Sequence, residues 1–125
     1  MNAVTGAILV LTAALAAVNG ANDVSKGVAT LAAGGVTRYR PAIAWGVVAT
    51  LAGSLLSLQL AATMVTLFSK DIVAAPASPG FALAVLAGSA GWVAVATAAR
   101  LPVSTTHAIV GGIIGAALLL APGAI

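Results

Sequence analysis

The chain has no cysteine, no glutamate and a single histidine, and only seven of its 125 residues are Asp, Lys or Arg. Without cysteine there is neither a disulfide framework nor a thiolate metal site. One histidine cannot build a histidine-based metal centre. Charged residues make up 6% of the chain, against about 25% in an ordinary soluble domain. Seven charges cannot cover the surface of a soluble domain of this size. A disordered segment needs the opposite balance of charge and hydrophobicity. What the chain does have is a 62% apolar composition and mean hydropathy of +1.18. Its solvent is therefore mostly lipid.

The charges are Asp23, Lys26, Arg38, Arg40, Lys70, Asp71 and Arg100. Between them lie uncharged runs at 1–22, 27–37, 41–69, 72–99 and 101–125. A spanning helix needs about 20 predominantly apolar residues. Four runs meet that length, and the short 27–37 run reads as part of a broken span with the first. The expected fold class is an all-α, polytopic membrane protein with discontinuous transmembrane helices.

The net charge of +3 does not imply a nucleic-acid partner, which calls for a basic stripe on a solvated face. Basic residues gather on the cytoplasmic side of membrane proteins. By that rule the loop carrying Arg38 and Arg40 is cytoplasmic, and the 69–79 loop and the N-terminus are external. The apolar start reads as a retained helix rather than a signal peptide, because no basic residue precedes it.

Along the chain, residues 3–18 read as a helix that ends at Asn19-Gly20-Ala21-Asn22-Asp23, where Asn and Gly favour turn geometry. A second piece follows over 24–33, with Asn22 or Asp23 as its N-cap and Gly34-Gly35 as its stop. Pro41 opens a helix over 41–68, with Trp45 as an interfacial anchor. Pro76 and Pro79 break the following loop. Helices at 80–99 and 103–120 complete the set, separated by Arg100-Leu101-Pro102. Two arrangements fit this last pair: both helices span, or they form a re-entrant hairpin with its tip near Pro102.

Two polar breaks carry the chemistry. At the first, Asp23 is an ionisable residue within a span, and Lys26 follows three residues on. An intramembrane carboxylate points to function by default. With unwound carbonyls and Asn22 it makes a hard-oxygen site for sodium or a proton relay. The competing reading is that Asp23 caps a half-helix and pairs with Lys26. At the second break, Pro102-Val103-Ser104-Thr105-Thr106-His107 places three hydroxyls at a helix N-terminus. Free N–H groups and the helix dipole attract anions there, and hydroxyls add donors for a tetrahedral oxyanion. The competing reading is capping by Ser104 with ordinary interhelical hydrogen bonds from the threonines. His107 either relays a proton, binds the anion when charged, or packs as a hydrogen-bonded residue. A Ser104–His107–Asp23 hydrolase triad is disfavoured, since Ser104 and His107 share one helix at i,i+3; an enzyme is not expected. Gly111, Gly112 and Gly115 form a small-residue pattern suited to close helix contact. Arg100 reads as an interfacial anchor, with an anion-attracting role at the pathway mouth as the lesser alternative.

Together the two motifs are more specific than either alone. Asn19-Gly20-Ala21-Asn22-Asp23-Val24 resembles the signature of the PiT family of inorganic phosphate transporters. The stretch from Pro102 to Gly111 resembles the second signature of the same family, and the resemblance covers essentially all 125 residues. It implies phosphate symport driven by sodium or protons, with two repeats in inverted topology and sites near mid-membrane. By position, Asn22 and Asp23 would line the phosphate and coupling-ion sites, and Ser104, Thr105 and Thr106 would bind phosphate. The implied partners are phosphate, sodium or a proton, the lipid bilayer and a second repeat. No cofactor is implied beyond sodium as a coupling ion. A bacterial or archaeal plasma membrane is the expected location.

The chain departs from the family pattern at Lys26, where many members have Asn. A fixed ammonium there either replaces a bound cation or binds phosphate directly. The length matches one repeat of the pair, and the apolar end at Pro122-Gly123-Ala124-Ile125 favours a truncated half over an antiparallel homodimer. The rival function is a non-transporting membrane fragment or partner subunit.

Overall fold

The structure is a computed structural model, and it describes residues 2–58, 60, 61, 63 and 78–123. Among the described residues the bounded elements are four helices: α1 (Ala3–Ala33), α2 (Tyr39–Ser57), α3 (Pro79–Ala98) and α4 (Thr105–Leu120). Lys70 and Asp71, and with them the expected external loop up to residue 77, lie outside the described residues.

The main departure from the sequence reading is α1. It runs unbroken from Ala3 to Ala33, where a break was expected at Asn19–Asp23. One helical Gly costs only about 1 kcal/mol, and the two asparagines do not turn back on their own backbone. Their amides find partners on other elements, so the main-chain ladder has no competitor. In a lipid environment an opened ladder would leave polar groups unsatisfied at several kcal/mol each. The fold thus has one break among the described residues, between α3 and α4, rather than two.

Helix ends follow from local chemistry. Asn2 caps α1 by accepting from the Thr5 N–H at 2.8 Å. At the other end Gly35 takes a φ of 71°, and the Val36 N–H reaches back to the Leu31 carbonyl at 3.1 Å, a Schellman close. Pro41 lies within the first turn of α2 rather than opening it; its missing N–H is one of the orphans there. Ser78 caps α3, and Pro79 occupies the first helical position, which suits proline. Ser104 caps α4 through the His107 N–H.

Helix α1 packs against α2 on one side and α3 on the other, and α4 packs on α3. Leu15 joins Ala90, Val93 and Ala108 in one core cluster, and Ile113 joins Ala117 in a second. Asn22, a turn or two beyond Leu15, meets Thr97 and Leu101, so α1 and α3 run in the same direction. Ser89 donates to the Ala108 carbonyl at 3.1 Å, and α4 returns antiparallel to α3. Among the described residues, six of the ten buried apolar ones are alanines: Ala42, Ala90, Ala96, Ala108, Ala116 and Ala117. The helices therefore adhere by close approach, as small residues permit in lipid. Large apolar side chains such as Trp45, Leu51, Leu55 and Leu56 of α2 stay exposed.

Helices α1 and α3 are long and apolar enough to cross a membrane, by length and composition. Helix α1 is about 46 Å long, and α4 only about 24 Å.

Candidate functional site

The site forms where α1 meets the α3–α4 connector. Asn19, Asn22, Asp23 and Lys26 stand at i, i+3, i+4 and i+7, which places them on one stripe of a continuous helix. The stripe reads as a break only if the helix stops there.

Asn22 is the centre of it and is 4% exposed. Its Nδ2 donates to Thr97 Oγ1 and to the Leu101 carbonyl, both at 3.2 Å. Its Oδ1 accepts from the Val103 N–H at 3.3 Å. One amide thus satisfies the two main-chain groups that flank Pro102, which a helix would otherwise pair. Asn19 Oδ1 accepts from the Thr105 hydroxyl. Lys26 Nζ donates to Asp23 Oδ1 and to the Val103 carbonyl, each at 2.8 Å. Asn22 and Lys26 therefore hold the connector beside the proline, and Asn19 holds the first residue of α4.

The end of α3 is shaped by its own close. The Arg100 N–H meets the Thr97 carbonyl at 3.0 Å, and the Leu101 N–H meets the Ala96 carbonyl at 2.8 Å. This places Arg100 at the left-handed position, with φ of 59°, where glycine is the usual occupant. An L-residue is strained there by about 1–2 kcal/mol.

At the start of α4 the first N–H groups have no intrahelical acceptor. That of His107 goes to Ser104 Oγ at 3.3 Å, and those of Thr105 and Thr106 have no partner among the described residues. Ser104, Thr106 and His107 are exposed. Ser104 Oγ accepts and keeps its proton to donate. Thr105 has given its proton to Asn19, so its remaining donor is the backbone N–H. Ser104 and His107 also line an open groove of about 840 Å³ along α3 and α4, with Gly88, Trp92, Gly111 and Gly115.

The structure brings most of the sequence-derived residues to one place, though in different roles. Asn22 is spent on the connector. Asp23 and Lys26 form an ion pair, 52% and 40% exposed at their side chains. Ser104 caps α4, and Thr106 and His107 point to open faces. The Ser104–His107 contact is from main-chain N–H to hydroxyl, not imidazole to hydroxyl, so it is not the pairing of a hydrolase triad. The sequence reading assigns no binding role to the side chains of Asn19, Thr97 and Ser89, and for Arg100 it prefers the anchor to the anion-attracting role. For Asn19 the signal was present, in its seven-residue spacing from Lys26.

The model of the phosphate transporter family matches residues 19–125. A Mycobacterium leprae (strain TN) protein named "Probable low-affinity inorganic phosphate transporter" is 31% identical over 118 residues. That match covers 93% of this chain and 28% of the relative, so the chain spans little more than a quarter of the relative's length. No solved structure matches the chain.

Proposed function

Because the chain belongs to the phosphate transporter family, we propose that it works as one repeat of a cation-coupled inorganic phosphate symporter in a membrane. The observation that carries this reading is the α3–α4 break, held by α1 so that the N-terminus of α4 stays open. A tetrahedral oxyanion there meets the Thr105 and Thr106 N–H groups and the Ser104 and Thr106 hydroxyls. The helix dipole adds partial positive charge. These donors bind phosphate without a fixed countercharge and so release it readily.

Asn22 lies three turns before Ala33, about 16 Å along the axis of α1. The hairpin of α3 and α4 turns back at that level. Helix α3 is about 30 Å long, the thickness of a hydrocarbon core, so this level suits both arrangements open to residues 80–120. A second repeat, supplied by further chain or by another copy, faces the tip, and alternating access proceeds around it.

Asp23 is the coupling carboxylate in this scheme. One of its oxygens holds Lys26, and the other is available to sodium or a proton. Lys26 supplies a tethered cation between a carboxylate and a carbonyl, two oxygens of the kind sodium prefers. Uptake of labelled phosphate into proteoliposomes tests the scheme, with the chain alone and with the remaining length of the transporter co-expressed. Asp23→Asn in the complete assembly is expected to abolish cation-driven uptake. Retained uptake with retained cation dependence overturns the role of Asp23. Lys26→Asn is expected to change the sodium dependence of uptake when sodium is exchanged for choline. An unchanged dependence removes Lys26 from the coupling scheme. Uptake that ignores the cation gradient altogether indicates a channel.

A further inference from the structure

On the other side of the connector from the α4 N-terminus lies a second cleft of about 410 Å³, between the later turns of α1 and the end of α3. Asn22, Ser25, Lys26, Thr97, Arg100 and Pro102 are among its lining residues. We propose that this cleft is a separate oxyanion site, which takes a phosphate group through Arg100, with Lys26 and the Thr97 hydroxyl in support; Ser25 lines it but gives its proton to the Asn22 carbonyl. The group is either free inorganic phosphate or the headgroup phosphate of an anionic lipid.

Three observations converge on it. The chain has five basic residues, and two of them line this one cleft, whose lining includes no carboxylate. Lys26 already shares its charge with Asp23. Arg100 makes no ion pair among the described residues, so its guanidinium supplies the uncompensated charge and a planar fork suited to phosphate. Arg100 also sits at the one non-glycine position with positive φ among the described residues. Glycine would close α3 there without strain. A strained residue kept at a cleft is a pointer to function.

The end of α3 carries partial negative charge, which would oppose an anion. Here that charge is answered. The Val95 carbonyl accepts from the Ala99 N–H, the Ala96 carbonyl from the Leu101 N–H and the Thr97 carbonyl from the Arg100 N–H. Ser25 and Lys26 lie beyond Asn22 toward the Arg38–Arg40 end of α1, so the cleft opens on that side of the hairpin tip. By the positive-inside rule that side is cytoplasmic. The cleft is therefore a station on the cytoplasmic side of the tip, and it does not require that the chain transport anything.

The experiment uses the full chain in nanodiscs, in two arms. One measures binding of labelled inorganic phosphate in zwitterionic lipid. The other counts phosphatidylglycerol retained by the chain in phosphate-free buffer, by native mass spectrometry. Arg100→Gly removes the charge and suits the left-handed backbone, so its thermal midpoint is expected to hold or rise. In one arm it is expected to weaken binding at least about tenfold, the scale of a lost charge-assisted contact. The arm that responds identifies the source of the phosphate group. Arg100→Lys is expected to retain most of the binding. No change in either arm overturns the proposal. So does an equal loss from Arg38→Gln, which would assign the effect to general basic charge. Thr106→Ala separates the two sites. A fall in phosphate binding with Thr106→Ala and none in either arm with Arg100→Gly leaves the α4 N-terminus as the phosphate site and overturns the cleft.

Discussion

At the residue scale, Asn22 is the side chain on which the arrangement depends. Its amide answers two main-chain groups that Pro102 keeps out of a helical ladder. A buried polar group left without a partner costs about 1–3 kcal/mol. Asn22→Ala orphans both the Leu101 carbonyl and the Val103 N–H, so unfolding in micelles should show a loss of a few kcal/mol. Asn22→Asp keeps the acceptor for Val103, but it loses both donors and sets a carboxylate against the Leu101 carbonyl. Its loss should be at least as large. An equal stability of wild type and Asn22→Ala would mean that the connector holds its shape by other contacts. Asparagine is suited to this place because it both donates and accepts, as a main-chain amide does.

At the element scale, the contact between α3 and α4 depends on the absence of a side chain. A Cβ at Gly112 would stand 2.6 Å from Ser89 Oγ and 3.0 Å from the Val85 carbonyl oxygen. Ser89 is itself buried and tied to Ala108, so it cannot give way without losing that bond. Gly112→Ala is expected to destabilise the hairpin by about 1–3 kcal/mol, the usual cost of overpacking. Gly111→Ala meets nothing within 4 Å and should be neutral or stabilising by up to about 1 kcal/mol. Thermal melts of the two variants side by side check the difference. Adjacent glycines in the sequence look alike, and only the packing of α4 on α3 tells them apart.

At the scale of the whole molecule, the described chain leaves much apolar surface uncovered. Only Ala42 of α2 is buried, and the exposed Trp45, Leu51, Leu55 and Leu56 require lipid or further protein around them. The oxyanion donors at the α4 N-terminus face outward as well. Both facts suit a repeat within a larger assembly. The chain alone, reconstituted in liposomes, is expected to give no phosphate uptake above empty vesicles, and co-expression with a complementary repeat is expected to supply it. Full uptake by this chain alone would show that its own copies complete the site.

The sequence by itself determined the environment and one helix start. Seven charges in 125 residues permit no aqueous surface, and uncharged runs of helical length leave lipid as the solvent. The Ser-Thr-Thr stretch after Pro102 was legible as a helix start with hydroxyl donors, because proline and serine act on their nearest neighbours. Asn19–Asp23 was misread as a break for the same local reason, since Asn and Gly favour turns when nothing else claims them. Only the tertiary structure decided that α1 runs through. The partners that claim Asn19 and Asn22 are Thr105, Thr97, Leu101 and Val103, some 75 or more residues away along the chain. Local preference was outweighed there by hydrogen bonds that exist only once α3 and α4 have docked on α1.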